Sequence, residues 1–255
     1  MKNIVFSVGL AVGLALAAMS GAQAATVSFD VSHAQLSNGF APTNEQNLGI
    51  SAQATAADQV GLQVRHVADF GQSTNAADVR LTHRYNSQFD SYAHVGASSR
   101  GTVLPQYQYG LGGDMRATNQ LTLGVGLDHY KLRDDNKADV LSARASYTLA
   151  KLPLTVRGEA DLQRTNNAAD GMRYGAGVTW GHAGNWTASL DAQTGRVDYS
   201  AVQVPMAAAD YNVNLVKVSG RYWVRHNWGL TVAGAKVHNP YYSSNQMDVG
   251  MFAQF

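Results

Sequence analysis

The side chains with chemistry to offer in this 255-residue chain are arginines and carboxylates set at every second position of otherwise apolar runs. Arg157, Glu159 and Asp161 take three successive alternate positions between Leu154 and Leu162. Arg144 and Arg173 fall in the same way in the runs on either side, and Arg80, Arg84, Asp114, Asp128 and Asp191 repeat the pattern elsewhere. Residues two apart on a strand share a face, and opposite charges on neighbouring strands can pair. Arg144 and Arg173 are therefore expected to meet the carboxylates at 159 and 161. If that face encloses water, two outcomes are open. The charges fill and stiffen an interior as an ion-pair network, or they ring a passage and select solutes by charge.

Catalysis is less well served. Asp128-His129 and His238 stand at run ends, and Ser243-Ser244 follow in a connection, where a rim acid–base pair would sit. His129, however, has the opposite parity to Asp128 and turns outward. His66, His83, His94, His182 and His226 are scattered without metal-ligand spacing. Gly124-Val125-Gly126 and Gly175-Ala176-Gly177 sit inside runs with no helix after them, so they are not phosphate loops. They read as relief of crowding or as points of curvature. No enzyme activity, cofactor or metal is expected.

The elements that must position these charges are strands of one closed sheet. In the last ten residues Met247, Val249, Met251, Ala253 and Phe255 share one parity, with Phe252 the exception. Such a strand has one apolar and one wet face. An apolar alternation ending on Phe255 resembles the assembly signal of bacterial outer-membrane barrels. About fourteen runs of roughly ten residues follow the same rule, the length of a tilted strand crossing an outer membrane. Twelve is the alternative count. The clearest runs lie between Leu121 and Gln193, and the Tyr211 run changes parity near Leu215-Val216, where a bulge is expected. Connections alternate: short ones such as 57–59, 88–90, 182–185 and 224–227, longer ones such as 37–47, 71–78, 131–137 and 197–210. Outer-membrane barrels have short periplasmic turns and longer outer loops. All four tryptophans, Trp180, Trp186, Trp223 and Trp228, flank short turns, where a periplasmic aromatic girdle belongs. Tyr130, Tyr199, Tyr211, Tyr241 and Tyr242 are placed for an outer one.

Composition agrees. Met1 to Ala24 carries Lys2, an apolar run and Ala22-Gln23-Ala24, the form of a secretory signal peptide cleaved after Ala24, with the barrel spanning residues 25–255. Later runs are too short for a transmembrane helix. There is no Cys, so disulfides are excluded. The net charge of +1 falls to zero without Lys2, which argues against a nucleic-acid partner. A mean hydropathy of −0.20 suits a barrel that hides its apolar residues at alternate positions.

The stretches TVLPQYQYGLGGDMRATNQLTLGVGLDHYKL from Thr102, LSARASYTL from Leu141 and WGLTVAGAKVHNPYYSSNQMDVGMFAQF from Trp228 resemble the YaiO family of outer-membrane β-barrel proteins. More remotely, the chain resembles the barrel domains of polysaccharide-secretion porins. The resemblance implies residence in the outer membrane of a Gram-negative bacterium and carries no catalytic residues. The function expected is a narrow passive channel or polysaccharide-associated conduit. The alternatives are a plugged structural or surface-interaction barrel acting through the Val197–Asp210 loop and, third, an outer-rim lipid- or peptide-modifying enzyme. The expected partners are outer-membrane lipid and lipopolysaccharide, the barrel-assembly machinery, and polysaccharide or small solutes, with the barrel a monomer. Asp134-Asp135 is a further candidate, for a cation bridging lipopolysaccharide.

Overall fold

The computed structural model describes residues 24–69, 72–99, 104–132, 136–166, 170–197 and 211–255. The expected signal peptide, Tyr199, Asp134-Asp135 and the 198–210 connection lie outside them. Fourteen antiparallel strands run in chain order: β1 Ala25–Leu36, β2 Thr43–Gln53, β3 Asp58–Asp69, β4 Gln72–Arg84, β5 Phe89–Ser99, β6 Tyr107–Arg116 and β7 Leu121–Lys131, then β8 Lys137–Thr148, β9 Leu154–Thr165, β10 Gly171–His182, β11 Trp186–Val197, β12 Tyr211–Arg225, β13 Trp228–His238 and β14 Ser243–Gln254. Each pairs with its sequence neighbours, and β14 pairs with β1, closing the sheet. Val27 lies opposite Ala253 and Phe29 opposite Met251. At the seam the Ala25 N–H donates to the Phe255 carbonyl at 3.0 Å and the Phe255 N–H returns to Ala25 at 2.8 Å. Closure leaves no strand edge with unpaired amides, which is what a sheet needs in hydrocarbon.

The layering is that of a soluble protein turned inside out. Val95, Leu111, Val125, Val218 and Val249 point away from the axis and remain more than half exposed. Asp30, Asp114, Arg144 and Asp248 line interior cavities. Exposed apolar side chains at every second position, all the way round the outside, require a hydrocarbon solvent there. Among the described residues no helix is long and apolar enough to cross a membrane; the crossing is made by strands.

Two expectations about the strands are corrected. β2 begins at Thr43, not Leu48, and β4 at Gln72, not Val79. Their first residues, TNEQN and QSTNAA, are polar or small on both faces, so no apolar period reveals them. They lengthen the sheet at the end carrying the longer loops, and they shorten the expected 71–78 loop until only residues 70–71 separate β3 from β4. The bulge also moves. Register is regular through Leu215 and Val216 and shifts between Trp223 and Arg225. The parity change at Leu215 is an apolar side chain facing the interior, where it lines a cavity. At the opposite rims, Asn38 (φ 62°) and Gly39 (φ 78°) turn the chain between β1 and β2, and Gly184 (φ 90°) turns it between β10 and β11. Left-handed backbone of this kind is tolerated by Gly and, among the rest, best by Asn.

Candidate functional site

Every second residue of the fourteen strands faces the bore, and neighbouring strands bring these residues side by side. Arg80, Arg84, Asp114, Arg144, Arg157, Glu159, Asp161, Arg173 and Asp191 all share the inward parity. Arg173 donates to Asp161 at 2.7 Å on the adjacent strand. Arg84 Nε donates to Asp90 at 3.0 Å, also next door, and Arg116 reaches the same carboxylate at 3.4 Å.

The other pairs do not form between neighbours. Arg144 lies opposite Glu159 in register, yet its Nε and Nη2 both donate to Asp114, each at 2.9 Å, two strands away on β6. Arg157 likewise reaches past β10 to Asp191 on β11, with Nη2 at 2.6 Å, while its Nη1 donates to Thr179. Glu159 accepts from Gln193 at 2.5 Å across the same strand. His94 on β5 meets Asp128 on β7 at 2.6 Å, Gln108 on β6 donates to Asp78 on β4 at 2.6 Å, and Thr231 on β13 donates to Asp30 on β1 at 2.9 Å.

Each of these six bridges passes over an inward glycine of the intervening strand. Gly124 lies beneath Asp114–Arg144, Gly177 beneath Arg157–Asp191, and Gly175 beneath Glu159. Gly110 lies beneath His94–Asp128, Gly96 beneath Asp78, and Gly250 beneath Asp30–Thr231. A Cβ at any of the six would run into the bridging side chains. The glycines act as saddles: with no side chain of their own, they let charged groups lie down along the wall rather than stand out towards the axis. The sequence signal for this was the inward parity of Gly124, Gly126, Gly175 and Gly177. The pairing rule for adjacent strands could not extend it to partners two strands away.

Tyr92 is laid down in the same way over Gly112 and Gly126. Its hydroxyl accepts from Arg144 at 3.4 Å, and the Arg80 guanidinium stacks 3.9 Å from its ring centroid. On the far wall Arg221 stands 4.5 Å from the Phe252 centroid and 5.6 Å from that of Trp223. Trp223 and Phe252 pack edge to face at 5.1 Å, and Trp223 Nε1 donates to Gln254 at 3.2 Å. Trp223 is thus inside the barrel and not part of a lipid-facing girdle. Inward parity on β12 includes Lys217, Ser219, Arg221 and Trp223, and the bulge comes only after it. The exceptional parity of Phe252 has the same cause: it is that tryptophan's partner.

The remaining tryptophans face out. Trp180 and Trp186 form an edge-to-face pair at 5.6 Å, and Trp228 shares the outward parity of Leu230 and Val232. At the loop end Tyr130 has inward parity and Tyr211 is buried against Tyr241 at 5.2 Å. Among the described residues, aromatics facing outward there include Tyr107, Tyr109 and Tyr174. Phe255 is 69% exposed, on the outward face. His129 points out to Asp139 at 2.7 Å and stacks on Tyr109 at 4.9 Å. No group of three or more His, Cys, Asp or Glu residues able to hold a metal occurs among the described residues.

Among the described residues, two cavities stand out inside the bore. One, of about 740 Å³, is lined by Asp30, Ser32, Ser189, Ser219, Thr231 and Gln246 among others. The second, of about 610 Å³, is lined by Asp114, Arg144, Arg157, Glu159, Gln193 and Leu215 among others. Lys217 borders both.

A closed sheet with a continuous apolar exterior and a charged, hydrated interior defines a transmembrane β-barrel of the bacterial outer membrane. The model of the YaiO membrane β-barrel domain matches residues 24–200, and the chain belongs to that family. No curated protein matches in sequence. Among solved structures the chain is similar to a bacterial polysaccharide outer membrane secretin, with a TM-score of 0.60 at 8% identity over 91% of this chain and 98% of that one. It is similar to the CymD monoaromatic hydrocarbon channel, with a TM-score of 0.60 at 10% identity over 94% and 90%. The KdgM porin gives 0.50 at 14% identity over 90% and 99%. At such identities the likeness is one of fold.

Proposed function

We propose that this barrel is a narrow passive channel for small hydrophilic solutes. The observation that carries the reading is the way its charges are stored. The glycine saddles hold the ion pairs flat against the wall, and among the described residues two cavities that both have Lys217 in their lining lie inside it. A barrel whose interior served only as a stiffening network would gain most from charges meeting across the axis. With the loop end outward, the short turns and both chain ends are periplasmic. The likeness to a polysaccharide secretin and to porins supports a conduit without naming its cargo.

A rim enzyme is the weaker reading. Of the rim candidates, His129 turns outward to Asp139 at 2.7 Å. Ser243 and Ser244 begin β14 rather than lying in a connection, and they bring the Ser243 hydroxyl 2.8 Å from His238 Nδ1. His238, however, has no carboxylate within ion-pair distance among the described residues to polarise it. The decisive experiment is single-channel recording from refolded protein in planar bilayers. Discrete conductance steps support the channel; a correctly folded barrel giving none would be a plugged structural or surface-interaction protein.

A further inference from the structure

The inward charges are sorted along the axis. A path at right angles to the strands runs from Thr26 through Ser51, Gly61, Arg80, His94, Gly110 and Asp128, then through Val140 and Gln163 to Gly171. It leaves the periplasmic end of β1 and arrives at the outer end of β10. The strands are therefore tilted, and one step sideways climbs by about one residue. Followed backwards, the same path leads from Arg80 to Gln254 on β14, whereas Arg221 leads through Thr231 to Gly250. Correcting for tilt puts Arg80 and Arg221 within about two residues of one height, on nearly opposite walls. Arg144 and Arg157 fall at that height too.

At the height of Arg80 or within two residues below it, this lower belt holds four guanidiniums and one carboxylate, Asp114; Asp30, Asp191 and Glu159 stand level with one another about one residue higher. Asp114 and Asp191 neutralise Arg144 and Arg157. Arg80 and Arg221 have no carboxylate within ion-pair distance among the described residues; aromatic rings hold them instead. A ring face steadies a guanidinium without cancelling its charge. Below them, at the mouth, Arg84 and Arg116 share the single carboxylate of Asp90. Above them the balance reverses. Glu45, Asp78, Asp128, Glu159, Asp161 and Asp248 stand against Arg65, Arg173 and Lys217. Lys217 reaches Asp248 at only 3.6 Å, and Arg173 is committed to Asp161.

Building on the channel reading, we infer that the bore is axially bipolar: an acidic outer vestibule in series with a basic periplasmic belt, whose uncancelled charge comes from Arg80 and Arg221. Two belts of opposite sign in series oppose ions of either sign, each at one belt. Uncharged hydroxylated solutes and zwitterions meet neither barrier in full. The solute class is therefore small, polar and net neutral, and ion current through the bore is asymmetric.

Single insertions in planar bilayers test this. At low salt the wild-type current should differ roughly twofold between opposite polarities, as a potential step of about one kT along the axis requires. The asymmetry should vanish at about 1 M salt, where screening acts within about 3 Å. Arg80→Gln with Arg221→Gln should make the low-salt current symmetric and raise permeability to cations over anions. Lys236→Gln, on the outward face, should change neither. Liposomes carrying the wild type should swell faster in a neutral disaccharide than in a charged solute of equal size. A symmetric wild-type current, or a double variant as asymmetric as the wild type, overturns the inference and leaves the channel standing. Absence of all current from a barrel with heat-modifiable mobility overturns the channel, and the inference with it.

Discussion

A methyl or isopropyl group added at Gly177 would stand where Arg157 Nε now passes, 3.0 Å from the built Cβ, and where the Asp191 carboxylate rests. The pair would be pushed off the wall towards the axis. Gly177→Val should therefore lower single-channel conductance and cost about 1–3 kcal/mol by overpacking. Gly158→Val, one strand away, is the control. Its built Cβ meets only the Gly175 carbonyl at 3.8 Å, it faces lipid, and conductance should hold. The tryptophans allow a second test at this scale. In variants retaining one tryptophan each, brominated acyl chains should quench Trp180, Trp186 and Trp228 and leave Trp223, which is 8% exposed inside the bore, bright. Parity gave the direction of nearly every strand residue in advance because lipid imposes an apolar choice at each second position. It misjudged Trp223 because an aromatic beside a short turn suits either face, and only the register with Gly229 and Phe252 decides between them.

At the scale of the strand, the apolar face does the work of holding the element in place. Val125 lies mid-strand on β7 and is 60% exposed to the surroundings. Val125→Arg should destabilise the barrel by about 2–4 kcal/mol, the cost of a cation at the bilayer midplane, measured by urea titration in liposomes. At the seam, deleting Phe255 removes the Phe255 carbonyl and N–H from Ala25, whereas Phe255→Ala keeps both backbone bonds. If the side chain is an assembly signal, both changes should reduce the assembled barrel in cells, while Phe255→Ala should refold in detergent like the wild type. Strand number and order were legible because each run of alternation is one crossing. The outer ends of β2 and β4 were not, since above the hydrocarbon neither face needs to be apolar. Arg144 shows the other limit: its chosen partner, Asp114, lies beyond a glycine that carries no charge signal of its own.

For the whole molecule, wall strength and bore width are set by different residues. Backbone pairing around fourteen strands supplies the wall, and the saddles, together with the arginines on aromatic rings, set what fills it. A sheet closed in this way needs no partner to complete it; we propose that the barrel is a monomer, and heat-modifiable electrophoretic mobility without a larger species would check this. The bore's contents, by contrast, could be read from the sequence only as a set of inward residues. Their heights depend on the stagger accumulated around the circuit, which no single pair of strands reveals.

The clasp between Ala25 and Phe255 makes the order of the strands a matter of convention. A ring formed by joining the two ends through a short linker could be cut open at residues 183–185 and would enclose the same bore. In such a permuted chain the terminal phenylalanine would sit mid-sequence, which separates the question of what delivers the barrel to its membrane from the question of what makes it close.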